Sequence, residues 1–476
     1  MSPRSTGRLP NHSVIPEGTL LFDPGGDAVG EHPLRGLIEH GPYGGKLVPA
    51  IVRPPVRLAF VTIEGHAGAL RDYLNTLEGK SHSEAKSGYF PEYGGFERVY
   101  GIPLDIPQGR RDPVSLIAEQ QAREALAHAE PERAFLGLLE KAIGQLTLAR
   151  AEFDVIVVYF PSFLEPIFRI QSKSYEFDLH DATKAITATL GIPSQVVLDR
   201  SIQYADRCSV LWSLSLALYA KAGGIPWKLR HAAPPGTAFI GLSYVLRQEK
   251  GRQSILTCCS QLFDGQGHGF QFLLFSADEV RWVGRSPFLT KSGMRRLLSK
   301  TLELYARQVG DLPRSVVVHK TTQFTQDERE GAAEALGGLP AYDLLQVQEG
   351  TSWMAAKGKR GSATPYPVDR GTVLPLSRFS FLLWTQGDVW GVTEENKSFY
   401  QEAKGVPQPL LITQHAGETS LLDSAAHLLA LTKMNWNSGR LYNNLPVTVR
   451  SASALGRIAK YMTRHSSSPY QYRLFM

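Results

Sequence analysis

Cysteine is scarce in this chain, and the few present are poorly placed for either of their structural uses. Among 476 residues there are three, Cys208, Cys258 and Cys259. Two of them are adjacent and cannot easily bridge each other, and no Cys-x-x-Cys pair exists. A disulfide framework and a zinc site are both unsupported, and a reducing, cytoplasmic setting is expected. Long apolar runs are missing as well: VIVVYF (155–160) and LALYA (216–220) fall far short of the roughly 20 residues that span a bilayer. The opening stretch MSPRSTGRLPNHSVIPEG lacks the apolar core of a signal peptide. Neither sign of charge dominates, and the net +6 suits a polyanionic partner without demanding one. Acid is locally missing too. AFIGLSYV (238–245) and SVVVHKTTQF (315–324), both strand-like, hold no Asp or Glu.

What remains is the composition of a folded protein, 43% hydrophobic and 20% charged, on a chain too long for one ordinary core. Residues 1–55, rich in Gly and Pro, read as an ordered arm or linker draped on a neighbour. From 56 to 230, strands alternate with helices. RLAFVTIEG (57–65) is a strand followed by a helix near 67–78, and YGGFERVYGIPL (93–104) reads as strand-rich. Helices are expected at 114–129 and 131–149, the second opened by Pro131. FDVIVVYFP (153–161) has the continuous apolar character of a buried parallel strand. The alternation predicts an α/β fold with a Rossmann-like doubly wound sheet.

From 231 to 476 the order changes. AFIGLSYVLR (238–247), QSILTCCSQLF (253–263) and FQFLLFSA (270–277) are strands in hairpin order, with DGQGHG (264–269) as a turn. A helix at 293–308 leads to the strand SVVVHK (315–320), which is the order of an RNase H-like fold. AKGKRGSATPYPVDRG (356–371) is a basic loop, followed by strands at 378–385 and 388–393 and helices near 419–433 and 451–463.

The residues with chemistry lie in FDLHDATKAITATLGIPSQVV (177–197) and LALYAKAGGIPW (216–227). Asp178 is the natural N-cap of a helix beginning at Leu179, with Leu179, Ala182, Ile186 and Leu190 facing the core. His180 and Lys184 then share a stripe near the positive helix end, where free N–H groups already favour an anion. Gln195 follows on the next strand, and Lys221 ends a later helix before Gly223–Gly224. Each alone is ordinary; in that order they suit a terminal phosphate.

On these residues, with AFIGLSYV, GVPQPLLI (405–412) and LTKMNWNSGRLYNNLPVTVRSASALGRIAKY (431–461), the chain resembles the Argonaute family over about 56–476. It is most similar in kind to the short prokaryotic forms, made only of a MID domain (56–230 here) and a PIWI domain (231–476). The resemblance implies that His180, Lys184, Gln195 and Lys221 bind the 5′-phosphate of a guide strand. Met476 is a further candidate, and a Mg2+ ion bridging the guide phosphate is the one cofactor implied. Active PIWI domains hold two metal ions on acids, for which hydroxyl groups are poor substitutes. Here the matched positions are Ser243, Thr321 and Ser453, and nothing acidic lies between Ser286 and Leu302 to supply the glutamate. No catalytic residue and no PIWI metal are therefore expected. Arg285, Arg295, Arg296, Lys357, Lys359 and Arg360 are candidates for tracking a guide–target backbone without reading sequence. His319, at the end of an apolar strand, and the Cys258–Cys259 pair read as framework.

The resemblance further implies a recognition subunit of a prokaryotic immune system. The expected ligands are a short guide RNA and a single-stranded DNA target. The expected partner is an APAZ-containing protein fused to a Sir2 or TIR effector that depletes NAD, with no membrane involved. Two other readings stand beside it: a guided nuclease with atypical metal ligands, and a structural subunit whose phosphate pocket is vestigial.

Overall fold

The computed structural model describes residues 11–45, 51–83, 90–109, 111–172, 175–204, 206–230, 233–249, 252–262, 270–276, 280–284, 286–359, 362–390, 398–400, 405–440, 443–462 and 469–476. Two sheets organise them. The first has five strands, all parallel, with Ser194–Leu198, Val155–Phe160 and Val56–Ile63 side by side and Leu104–Asp105 and Val114–Ile117 both pairing with the last. Val155–Phe160 is buried at every position, as its unbroken apolar run predicts. Successive side chains of Val56–Ile63 serve two cores. Leu58 and Phe60 pack with Leu70 and Trp212, while Ala59, Val61 and Ile63 pack with Phe135, Leu139 and Ala182. Both faces are thus covered by helices, the doubly wound arrangement.

Two local expectations fail. FERVY is the helix Phe96–Tyr100, in which Phe96, Val99 and Tyr100 are buried together and Gly101, at φ 73°, closes the turn. Residues 114–117 form a strand that precedes the helix Glu119–Leu126. Its alternating burial, with Ser115 and Ile117 inside, follows a period of two, which a helix cannot satisfy.

The second sheet has ten strands. At its centre Thr237–Glu249, Arg252–Leu262 and Phe270–Ser276 form an antiparallel meander. Ser315–Lys320 and Ala341–Gln348 lie parallel on the other side of the first of these. Third, second, first, fourth and fifth in line, they have the RNase H-like order. Helices Lys291–Val309 and Gln326–Leu336 cover one face, where Ala238, Ile240, Leu242, Val316 and Val318 meet Leu297 and Leu298. Val447–Ala459 lies against Thr237–Glu249 and Arg252–Leu262. Ala356–Lys359 pairs antiparallel with Ser362–Pro367, where a loop is expected from sequence, and the strand expected at 388–393 is described only at Val389–Trp390. DGQGHG and the side chains of Cys258 and Cys259 lie outside the described residues.

The N-terminal segment is woven into both halves. Ser13–Val14 pairs with Thr372–Ser377 at the edge of the ten-stranded sheet, and Leu20–Leu21 pairs with Lys228–Leu229. Glu17 meets Arg370 Nε at 2.5 Å and Lys433 Nζ at 2.8 Å. Burial works against the Glu17 carboxylate, yet the two cations hold its pKa down at about 2.

Candidate nucleic-acid interface

The helix Leu179–Thr189 begins where the sequence puts it. Asp178 is its N-cap, accepting the Asp181 N–H at 3.2 Å. Leu179 and Ala182 are buried, but Leu190, expected on the same face, is 45% exposed because the helix has ended and Gly191 turns the chain at φ 69°. Lys221 closes the helix Arg207–Lys221. The chain cannot continue as a helix there: Gly223 has φ 104°, and a Cβ on Gly224 would lie 2.2 Å from the Tyr219 ring.

Lys184 and Lys221 are only 1% and 2% exposed. The Lys184 ammonium donates to the Ser194 carbonyl and the Lys221 ammonium to the Gln195 side-chain oxygen. Two helices thus aim cations at the first residues of one strand, and among the described residues neither cation has a carboxylate partner. Burial pushes Lys184 down to about 7, opposed by its contact with Lys221 and by Asp181. Burial and then the charge of Lys184 put Lys221 well below the usual lysine range.

A cavity of about 790 Å3 opens over this pair. His180, Asp181, Gln195 and Lys221 line one side, and Asn435, Arg450, Ser453, Arg457 and Met476 line another; Lys184 stands behind the lining. The His180 ring is half exposed, with Nδ1 3.1 Å from Asp181 Oδ1, and Arg457 Nε donates to Asp181 Oδ2 at 3.2 Å. Sequence reasoning missed Asp181, Arg450 and Arg457. The two arginines lie inside the quoted motif at 431–461, but nothing local to them signals a partner 276 residues away in the chain.

Asp178, His180 and Asp181 bring ligand atoms within 4.8 Å of one another. Their carboxylates are already engaged. Asp178 Oδ1 accepts from Asp181 N and Oδ2 from Arg169, while Asp181 faces His180 and Arg457. A donor set so matched by cations and N–H groups does not fit a divalent ion.

In the large sheet Leu242 pairs with Lys320, so Ser243 is the next residue along its strand and Thr321 the first residue past the end of the adjacent one. Ser453 lines the cavity already described. His319 is enclosed, with Nδ1 2.8 Å from Thr448 Oγ1; burial, then His427, lowers its pKa to about 3 and keeps it neutral. Lys320 and Glu328, both buried, pair at 2.6 Å, and Tyr244 O–H donates to Glu328 at 2.8 Å.

Of the six basic candidates, Arg295, Arg296 and Lys357 have described side chains. Arg295 lies 3.7 Å from Glu334, and Arg296 is exposed on the same helix. Lys357, expected to follow a backbone, instead has its ammonium between Asp369 at 2.5 Å and Asp388 at 2.6 Å. Two acids at that distance hold the cation in place and raise its pKa against the effect of burial. Arg285, Arg360 and the Lys359 side chain lie outside the described residues.

No protein-family model matches the chain. The Argonaute of Thermus thermophilus is 28% identical over 303 residues, covering 61% of this chain and 38% of that protein. The Argonaute of Cereibacter sphaeroides is 22% identical over 488 residues, covering 95% and 57%. The chain is similar in sequence to Argonaute proteins. Its fold agrees: the structure of Clostridium butyricum Argonaute bound to a guide DNA and a target DNA superposes with a TM-score of 0.67 at 15% identity, covering 98% of this chain and 55% of that one. The chain spans less than two thirds of the length of each of these relatives. Among its described residues no helix is long and apolar enough to cross a membrane.

Proposed function

We propose that this Argonaute-like chain is a guide-loaded recognition subunit that binds without cutting. A 5′-phosphorylated strand, RNA by resemblance to the short prokaryotic forms, enters the cavity with its phosphate against Lys221 and Gln195. Lys184 adds charge from behind, and His180 offers a ring at the mouth on which the first base stacks. The observation that carries this reading is the pair of buried lysines from two helices, each donating to a neutral oxygen. Two buried amines are costly to charge side by side, and a phosphate dianion supplies the counter-charge they lack. A complementary DNA strand then pairs along the adjoining groove, where Ser243, Thr321 and Ser453 offer hydroxyls in place of acids, too weak a ligand set for two-metal hydrolysis. With no cutting step, detection is passed to another protein, by resemblance an APAZ-bearing Sir2 or TIR effector that consumes NAD.

The test compares strands of one sequence carrying a 5′-phosphate or a 5′-hydroxyl, on the wild-type chain and on K184A/K221A. The phosphate should tighten binding to the wild type and make no difference to the variant. Equal binding of both strands by the wild type would sink the pocket assignment.

A further inference from the structure

Two lining residues of the cavity have the wrong sign for a phosphate channel: Asp181, which already faces His180 and Arg457, and Glu349. Glu349 follows the strand Ala341–Gln348 and lines the same space as Lys221 and Arg450. One of its carboxylate oxygens accepts from Asn444 Nδ2, and among the described residues no donor reaches the other. Glu349 is exposed, and the partial desolvation it meets at the cavity wall raises its pKa against the opposing charge of Arg450. A carboxylate beside a polyanion is repelled unless the strand offers it a hydrogen-bond donor. The phosphodiester backbone has none. A ribose does, at its 2′-hydroxyl, and that group is what lets a protein tell RNA from DNA at a given position.

We propose that Glu349 reads the sugar of the bound strand, accepting a hydrogen bond from a ribose 2′-hydroxyl and rejecting deoxyribose. Asn444 donates to one carboxylate oxygen and leaves the second to accept from the strand. The assignment rests on the proposal that the cavity holds a 5′-phosphorylated strand, and it makes Glu349 a specificity residue.

Affinities of the full-length chain, E349A and E349Q are measured for 3′-labelled, 5′-phosphorylated strands of one sequence. The strands are all-RNA, all-DNA, and DNA carrying one ribose at each of the first positions in turn. The expected result is that E349A lowers the RNA-to-DNA affinity ratio ~10-fold, the scale of a hydrogen bond to a charged group. E349Q keeps an acceptor without the charge, so DNA binding improves while part of the RNA preference remains. A single ribose position should account for most of the wild-type ratio. The proposal is overturned if E349A changes RNA and DNA affinity by the same factor, which would mark a residue that only supports Asn444. It is overturned equally if the change follows the base and not the sugar. A 5′-hydroxyl RNA in the same series separates the two levels: if it binds the wild type as well as the phosphorylated RNA, the underlying pocket reading fails, whatever the sugar ratio does.

Discussion

Binding of a 5′-phosphorylated strand should take up protons, and its affinity should fall steeply above neutral pH. Lys184 sits at about 7 in the strand-free fold, and Lys221 lies well below the usual lysine value. Above pH 7 the free site is therefore mostly uncharged, whereas a bound phosphate dianion stabilises the ammonium form. A phosphate that returns Lys184 to its ordinary range forces one proton onto the site with each strand bound. The association constant then falls about tenfold per pH unit, or about 100-fold and about 3 kcal/mol between pH 7 and pH 9. If Lys221 is charged in the same step the slope approaches two protons. The groups facing the pair work in known directions: Asp181 favours the charged form of Lys184, and the charge of Lys184 disfavours it in Lys221. Isothermal titration at pH 8, in buffers of different ionisation enthalpy, reads the proton number directly. The same RNA with a 5′-hydroxyl is the control and should show no such uptake. Equal uptake for both strands, or none for the phosphorylated one, would refute a site built from two discharged lysines.

Other outcomes follow from the same contacts. Between about pH 7 and 10.5 the unfolded chain holds a proton on Lys184 that the native chain lacks, so this group makes the strand-free protein more stable as pH rises through that window. K184M removes the buried cation, and should raise the melting temperature at pH 6 to 7 while losing the preference for 5′-phosphate, both read on one preparation by thermal melting and strand titration. E328A leaves Lys320 buried and unpaired and should cost about 3–5 kcal/mol in denaturant unfolding, while the double change to matched apolar residues should cost much less. K357A sets Asp369 and Asp388 against each other and should lower the melting temperature without changing strand affinity, which separates an internal clamp from a backbone contact.

Regular periodicity was what made structure legible from the sequence alone. The run VIVVYF could only be a strand covered on both faces, and the structure buries all of it. Asp178 before an apolar 3.6-residue pattern marked the start of the pocket helix correctly. FERVY misled because its residue types favour strands, yet flanking glycines isolate a single turn that buries Phe96, Val99 and Tyr100 on one side. The strand at 114–117 was hidden because four residues are too few to establish a period before the helical pattern takes over. At the site, spacing within one helix could suggest Lys184, but only the fold brings Arg457 to Asp181 and Lys221 to Gln195. Charge alone was a poor guide, since Lys357 reads as a backbone contact until its two acids are seen.

The placement of the acid-matched positions separates binding from cutting within the fold. Ser243 and Ser453 are half-buried and Thr321 is exposed, so none contributes a large side chain to the core. The contacts that hold this part of the sheet lie elsewhere: Lys320, Glu328 and Tyr244 are joined by hydrogen bonds, and His319 is bonded to Thr448. Acids at Ser243 and Thr321, each one residue past the paired Leu242 and Lys320, would repel one another without metal ions. Hydroxyls there relieve that repulsion and ask nothing of the packing beneath. The lysines are different. Lys184 and Lys221 are buried to within 2% and costly in the strand-free protein, so their presence is not explained by stability. Packing that asks nothing of Ser243, Thr321 and Ser453, in a fold that nevertheless buries two lysines, fits the proposed reading of a protein that grips a strand without severing it.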